Sequence, residues 1–372
     1  MQVGTKNGFT KALFSVILYK RRHVCFLNIQ WLVLLMKKMT IREIAQMANV
    51  SQTAVSFVLN NKPGVSDETR KRVLDIIEKT NFQSDRNSKR LALNKSFNIC
   101  LAYFDTFSPF NDLFYVEVAK AMIDCVGSYG YNIIMSKFEH KNGKLIMPEA
   151  ITAKDADGVV IIQDVEPQIL KEITDIGLPY IIVDSYSNNH AIFSIGIDAH
   201  DYTRKAVKYL AEKGHTKIAV IGSSFIPAFW QQVNDSYQQT MQELGLSWEP
   251  YWLENTANDE NSAYCCMERI LQGENKPTAV FCVGDIYAIG AIRCIKNAGL
   301  RVPEDISVMG VDNIILGKYL EPALTTIDIH TEEMGRQGLD ALMKKINGET
   351  CGSLRMSNSV IVERESVTVK SE

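Results

Sequence analysis

The chain has 372 residues, 46% of them hydrophobic and 22% charged, which is the composition of a soluble globular protein with two or three folding units. The formal net charge of -3 hides an asymmetry: residues 1–39 carry seven basic and no acidic groups, residues 40–95 ten basic and six acidic, and residues 96–372 are left with 23 basic and 37 acidic. Eight cysteines are scattered without a Cys-x-x-Cys pair or zinc spacing, so a disulfide scaffold and a zinc module are excluded and free thiols in a reducing cytoplasm are expected.

Residues 1–38 contain two apolar runs, ALFSVILY and VCFLNIQWLVLLM, separated by Lys20-Arg21-Arg22-His23. The longer run is short of the roughly 20 residues a membrane helix needs. Lys37-Lys38 follows it in place of a small-residue cleavage site, so no signal peptide is expected.

Residues 40–60, TIREIAQMANVSQTAVSFVLN, read as two short helices joined by a tight turn. Thr40 and Glu43 have capping-box spacing. Ile41, Ile44, Ala45 and Ala48 form one apolar stripe at helical spacing. Asn49-Val50 turns the chain, Ser51 caps the second helix, and Val55, Val58 and Leu59 face inward. Gln52, Thr53, Ala54, Ser56 and Phe57 face outward, a small polar face suited to a helix set end-on into the DNA major groove. Ser66 caps a third helix, with Asp67 and Glu68 in its first turn and Val73, Ile76 and Ile77 on its buried face. Read from periodicity alone, the segment could equally be part of an ordinary helical bundle.

The stretch IAQMANVSQTAVSFVLNNKPGVSDETRKRVLDIIEKTNF resembles the headpiece of the LacI/GalR family of bacterial transcriptional repressors, with its ordered pattern of IA, A-VS, VS-VLN, VS and TR-V. The resemblance implies a DNA-binding helix-turn-helix headpiece over residues 39–83. It places Thr40, Ser51, Gln52, Thr53, Ala54, Ser56, Phe57 and Asn60 at the DNA, with Gln52 and Thr53 on base edges and Ser51 and Ser56 on phosphates. The family's usual start corresponds to Met39, so residues 1–38 are expected to lie upstream of the true start, the rival being a membrane-proximal anchor. Residues 84–95, SDRNSKRLALNK, match the family's hinge. The resemblance makes Leu91 a minor-groove wedge that kinks the duplex and sets Lys89 and Arg90 against phosphates. Ser84-Asp85 stand for the usual Pro-Asn, and Asn87-Ser88 for small apolar residues, so the paired hinge helices should pack less tightly. Leu91 could otherwise be the first core residue of the next domain.

Beyond Phe97 strands and helices alternate. NICLAYF, YNIIM, DGVVIIQ, PYIIVD and FSIGID, then KIAVIG, TAVFCVG and DISVMGVD, are mostly continuous apolar runs, as parallel sheets buried on both faces require. Helices are expected from about Leu113 to Gly130, from near Tyr202 to Gly214, and up to Gly245 and Gly299. Repeated βα units in two halves predict an α/β fold of two doubly wound parallel lobes. PTAVFCVGDIYAIGAIRCIKNAGLRVPEDISVMGVDN and LEPALTTIDI resemble the family's periplasmic-binding-protein-like effector domain. The resemblance spans residues 39–369. It implies an effector-binding and dimerisation domain over 96–372, with crossings near Asp198, Thr325 and Ser357. Lobe one is then about 97–198 and 326–356, and lobe two about 199–325 and 357–372.

The same resemblance maps Phe114, Tyr115, Asp184, Phe229, Trp230, Asp285 and Asp312 onto the cleft between the lobes. Aromatic faces and carboxylates suit a sugar, whose ring stacks and whose hydroxyls donate. Three positions depart from the family. An effector-binding arginine falls at Val233, an often aromatic position at Asn258, and a polar one at Gly284. The missing cation points to a neutral sugar or polyol. Phe114 and Tyr115 could instead be core, and Asp184 and Asp285 strand-end caps.

No dinucleotide, P-loop or nucleophile-elbow motif is present, and the six histidines lack metal spacing, so neither an enzyme nor a cofactor is expected. The expectation is a cytoplasmic, homodimeric, sugar-responsive repressor that reads a pseudo-palindromic operator and engages no membrane. A transport-system sugar-binding protein is the alternative, and residues 40–95 argue against it.

Overall fold

The computed structural model describes residues 39–59, 62–80, 82, 90, 93–104, 110, 112–186, 192–223, 226–256 and 259–370. Two units divide between Asn94 and Lys95.

The first unit contains α1 (Ile41–Ala48), α2 (Gln52–Leu59) and α3 (Asp67–Thr80). The capping box that opens α1 is present: the Glu43 N–H donates to Thr40 Oγ1 at 3.3 Å, and the Thr40 N–H donates to Glu43 Oε2 at 2.8 Å. Asn49 ends α1 in the left-handed conformation (φ 54°) that turns the chain. Ser51 Oγ accepts from the Ala54 N–H at 3.1 Å and Ser66 Oγ from the Thr69 N–H at 3.3 Å, so α2 and α3 each begin on a serine cap. Ile44, Ala45, Ala48, Val55, Val58 and Val73 close the core with Phe82. Ile41, Leu59, Ile76 and Ile77 are only half-buried around it.

The second unit holds two sheets. β1 (Asn98–Phe104), β2 (Asn132–Lys141), β4 (Gly158–Ile162), β5 (Tyr180–Val183), β6 (Ser194–Ile197) and β12 (Leu354–Met356) run parallel, and β3 (Lys144–Ile146) returns antiparallel on β2. The order is β12-β6-β5-β4-β1-β2-β3. The second sheet has the order β13-β11-β10-β9-β7-β8. Its strands are β7 (Ile218–Ser223), β8 (Leu253–Thr256), β9 (Ala279–Cys282), β10 (Ser307–Val311) and β11 (Thr325–Asp328), with β13 (Val360–Val362) antiparallel at the edge. Leaving out β3, β12 and β13, both sheets follow the doubly wound order 2-1-3-4-5, in which ligands bind beyond the strand C-terminal ends. The β2–β3 hairpin has no counterpart in the sequence reading, because SKFEHK carries no apolar run.

The helices between strands include α4 (Leu113–Val126), α5 (Glu149–Thr152), α6 (Pro167–Ile176), α7 (Ala199–Glu212), α8 (Pro227–Glu243), α9 (Glu260–Gln272), α10 (Asp285–Asn297) and α11 (Thr331–Ile346). Helix α4 packs along α11 on the first sheet, and α7 along α8 beside the second. The chain passes between lobes at Asp198, at Ile329-His330 and over 357–359. The second crossing therefore falls beyond Thr325: β11, including Thr326–Asp328, is hydrogen-bonded to β10 and β13 and belongs to lobe two. The crossings touch one another, the Asp198 N–H donating to Met356 O at 3.0 Å and His330 Nε2 lying 3.1 Å from Asn358 O.

Candidate functional site

The outward face of α2 is the candidate nucleic-acid interface. Ser51, Gln52 and Thr53 are exposed, and Ala54, Ser56 and Phe57 half-buried. Ser51 caps the helix, so its hydroxyl already serves a backbone N–H. Thr40 likewise spends its hydroxyl on Glu43, donating to Oε2 at 3.0 Å. The Phe57 ring lies against Gly64, where an added Cβ would meet it at 3.2 Å. Phe57 therefore braces the loop between α2 and α3 besides edging the outer face. Arg90 is half-buried. Asn60, Lys89 and Leu91 lie outside the described residues.

The second site is the cleft between the two sheets, and it forms where strands end. Gln163 follows β4, Asp184 follows β5, Ile197 ends β6, Ser223 ends β7, Gly284 follows β9 and Asp312 follows β10; all line one cavity. Gln163 (φ 69°), Asp184 (φ 63°) and Asp312 (φ 105°) have left-handed backbones, which swing their side chains off the strand axis. Asp112, the N-cap of α4, lines the same space.

Aromatic rings complete the walls. The Tyr115 hydroxyl donates to Asp184 Oδ2 and accepts from Gln163 Nε2 at 3.0 Å. Phe114 meets the Tyr115 ring edge-on at 4.7 Å. Phe229 lies 4.8 Å from the Tyr186 ring, centroid to centroid. Tyr202 and Tyr287 also face the cavity. Burial, and then the Asp184 charge, holds the Tyr115 and Tyr186 hydroxyls well above the ordinary tyrosine range. They stay protonated and act as donors.

Burial pushes Asp184 up to about 6 against the hydroxyls of Tyr115 and Tyr186, which favour its charge. Asp312 is raised well above the usual carboxylate range by burial first, then by the charges of Asp285, Asp112 and Asp184. Among the described lining residues there is no lysine, arginine or histidine.

Five of the seven sequence-derived effector residues meet here: Phe114, Tyr115, Asp184, Phe229 and Asp312. Asp285 does not. It opens α10 fully buried, with Oδ1 accepting from the Thr326 hydroxyl at 2.6 Å and Oδ2 from the Ile314 N–H at 2.9 Å. Gly310 leaves it room, since a Cβ there would stand 2.0 Å from Oδ1. Its carboxyl ties the turn after Asp312 to the start of α10. Trp230 is also absent from the lining: its ring covers Gly222 in β7, 2.4 Å from where a Cβ would be. Val233 is fully buried in the hydrophobic core and brings no charge. Asn258 lies outside the described residues.

Sequence reasoning missed Asp112, Gln163, Tyr186, Tyr202, Ser223 and Tyr287. Only Gln163 left a signal, as a polar residue closing the apolar run DGVVIIQ.

Residues 40–85 match the sequence profile of bacterial regulatory proteins, lacI family, and residues 207–367 that of a periplasmic binding protein-like domain. The HTH-type transcriptional repressor PurR of Aliivibrio salmonicida (strain LFI1238) is 31% identical over 310 residues, covering 82% of this chain and 92% of PurR. The chain belongs to the lacI family of bacterial regulatory proteins. The probable HTH-type transcriptional repressor ExuR of Bacillus subtilis (strain 168) is 29% identical over 331 residues, 88% of this chain and 98% of ExuR. The fold is shared with the lac repressor dimer bound to operator and the anti-inducer ONPF (TM-score 0.71, 23% identity, 89% of this chain, 100% of that one). It is shared also with a complex of the transcriptional regulator CelR with cellobiose (TM-score 0.65, 22% identity, 88% and 99%). As a lacI-family member the chain is a DNA-binding transcriptional regulator with a ligand-binding domain. The relatives named here are repressors rather than enzymes. Among the described residues no helix is long and apolar enough to cross a membrane.

Proposed function

We propose that this regulator is a cytoplasmic, homodimeric repressor of carbohydrate-utilisation genes, whose operator affinity is set by a sugar-class ligand without an anionic group. Two headpieces reading a near-palindromic operator supply the specificity that one α2 helix cannot. Gln52 and Thr53 read base edges, Ser51 and Ser56 hold phosphates, and Ala54 and Phe57 offer apolar contact to thymine methyls. Lys89, Arg90 and Leu91 complete the contact at the hinge. The regulator has no catalytic role, since the cleft chemistry is that of binding.

The observation that carries the ligand class is the cleft's charge: Asp112, Asp184 and Asp312 face it, and no cation does among the described lining residues. A phosphate or carboxylate would have to shed water against those groups without a counter-charge. Hydroxyls donate to the carboxylates instead, while Phe229 and Tyr186 cover the ring. The test is calorimetric titration of the full chain with sugars and their phosphates. Tight binding of a phosphorylated compound alone refutes the ligand class, and a wild-type response in Asp312→Asn removes that residue from the site.

A further inference from the structure

We infer that the ligand carries a protonated amine beside its hydroxyls, as an amino sugar or amino polyol does, and that this ammonium sits against Asp184 and Asp312. The inference rests on the reading of the cleft as the effector site and adds the ligand's charge to it.

The first observation is charge balance. Three carboxylates face the cavity with no cation among the described lining residues. The opening that shares Asp312 continues the same sign: its five carboxylates outnumber Arg336 and His330. Neighbouring cavities of one sign with low-dielectric walls raise the local concentration of cations and repel anions.

The second observation is independent of the first. Asp184 is only 5% exposed; Oδ2 takes the Tyr115 hydroxyl and the Tyr186 hydroxyl also favours the carboxylate, yet Oδ1 has no hydrogen-bond partner of its own. A buried acceptor left unmade is costly, so this oxygen is built to receive a donor from the ligand. A neutral hydroxyl would supply the hydrogen bond but not the charge. Over a neutral ligand the buried Asp184 and Asp312 relieve their mutual repulsion by holding protons, and so lose the charge that makes them strong acceptors. An ammonium supplies up to three donors together with the counter-charge.

The third observation is the wall. Phe229 and Tyr186 pack together in the cavity lining, and aromatic rings of this kind attract a cation through their negative quadrupole and suit the apolar face of a sugar. Pairing with an ammonium would also draw Asp184 and Asp312 back toward the ordinary carboxylate range, so binding should release protons.

The experiment is calorimetry on the full chain at constant ionic strength. Glucosamine, galactosamine, mannosamine and 1-amino-1-deoxysorbitol are each titrated beside the parent hexose or polyol and the N-acetyl derivative. The expected result is one amine that binds about tenfold or more tighter than both of its neutral counterparts, as a charge-assisted hydrogen bond would give. Asp184→Asn should then bind amine and parent alike while keeping the parent's circular dichroism and cooperative unfolding, which shows that the variant is folded. A parent sugar that binds as tightly as its amine overturns the inference and leaves the cleft as the effector site. Silence from every amine and every parent overturns the inference and the sugar-class reading together.

Discussion

Asp285→Asn tests whether the carboxyl beneath the Asp312 turn is protonated in the folded protein. Asp285 is fully buried, and burial pushes it up from 3.8 to about 7 against Thr326, the Ile314 N–H and the charge of Arg364. The native state therefore holds this proton more tightly than the unfolded chain. The stability that follows is fully present below the unfolded value and is lost as pH rises through about 7. By linkage the native state bears an ionisation cost of about 4 kcal/mol at about pH 8 and about 2 kcal/mol at about pH 5.5. Asparagine imitates the protonated acid. Its carbonyl can accept from the Ile314 N–H, and its amide can donate to the Thr326 hydroxyl, which rotates to receive it. Removing the charge also relieves Asp312, which Asp285 repels, so the effect runs in the same direction. The variant should be more stable than the parent by about 4 kcal/mol at about pH 8, shrinking to about 2 kcal/mol at about pH 5.5. Urea unfolding of the full chain at both pH values measures this. A variant less stable than the parent by the same margin at both would mean that the native carboxylate is ionised and held by Arg364, and would refute the argument.

Gln52→Ala should cost about 1–3 kcal/mol at one base pair of the operator half-site and relax the preference there, because Gln52 is exposed at the start of α2. Equal weakening on all sequences, read by competition binding, would reduce Gln52 to a backbone contact. Gly222→Ala should displace the Trp230 ring from β7, change its fluorescence and lower stability by about 1–3 kcal/mol. Unchanged fluorescence with unchanged stability would show that the ring was never seated there.

The sequence alone determined whatever depends on near neighbours. The capping box of Thr40 and Glu43 joins residues three apart, and the apolar stripe of α1 and the serine caps of α2 and α3 are equally local. The sheet strands were legible for a similar reason: a strand buried on both faces must be apolar throughout, so KIAVIG and DGVVIIQ announce themselves. What tertiary structure decided is the fate of polar residues at the strand ends. Asp184, Asp285 and Asp312 all follow apolar runs and look alike in sequence. Asp184 and Asp312 turn into the cleft on left-handed backbones. Asp285 begins a helix instead and is captured by Thr326, 41 residues away, in a space that Gly310 leaves open. The place of Thr326–Asp328 in lobe two was likewise set by pairing with β10 and β13. Tyr115, Tyr186, Tyr202 and Tyr287 come from separate segments and meet only when the two sheets face each other. A pattern in sequence reports the surroundings of its own few residues, whereas a binding cleft is an agreement among distant ones, reached only when folding encloses them together.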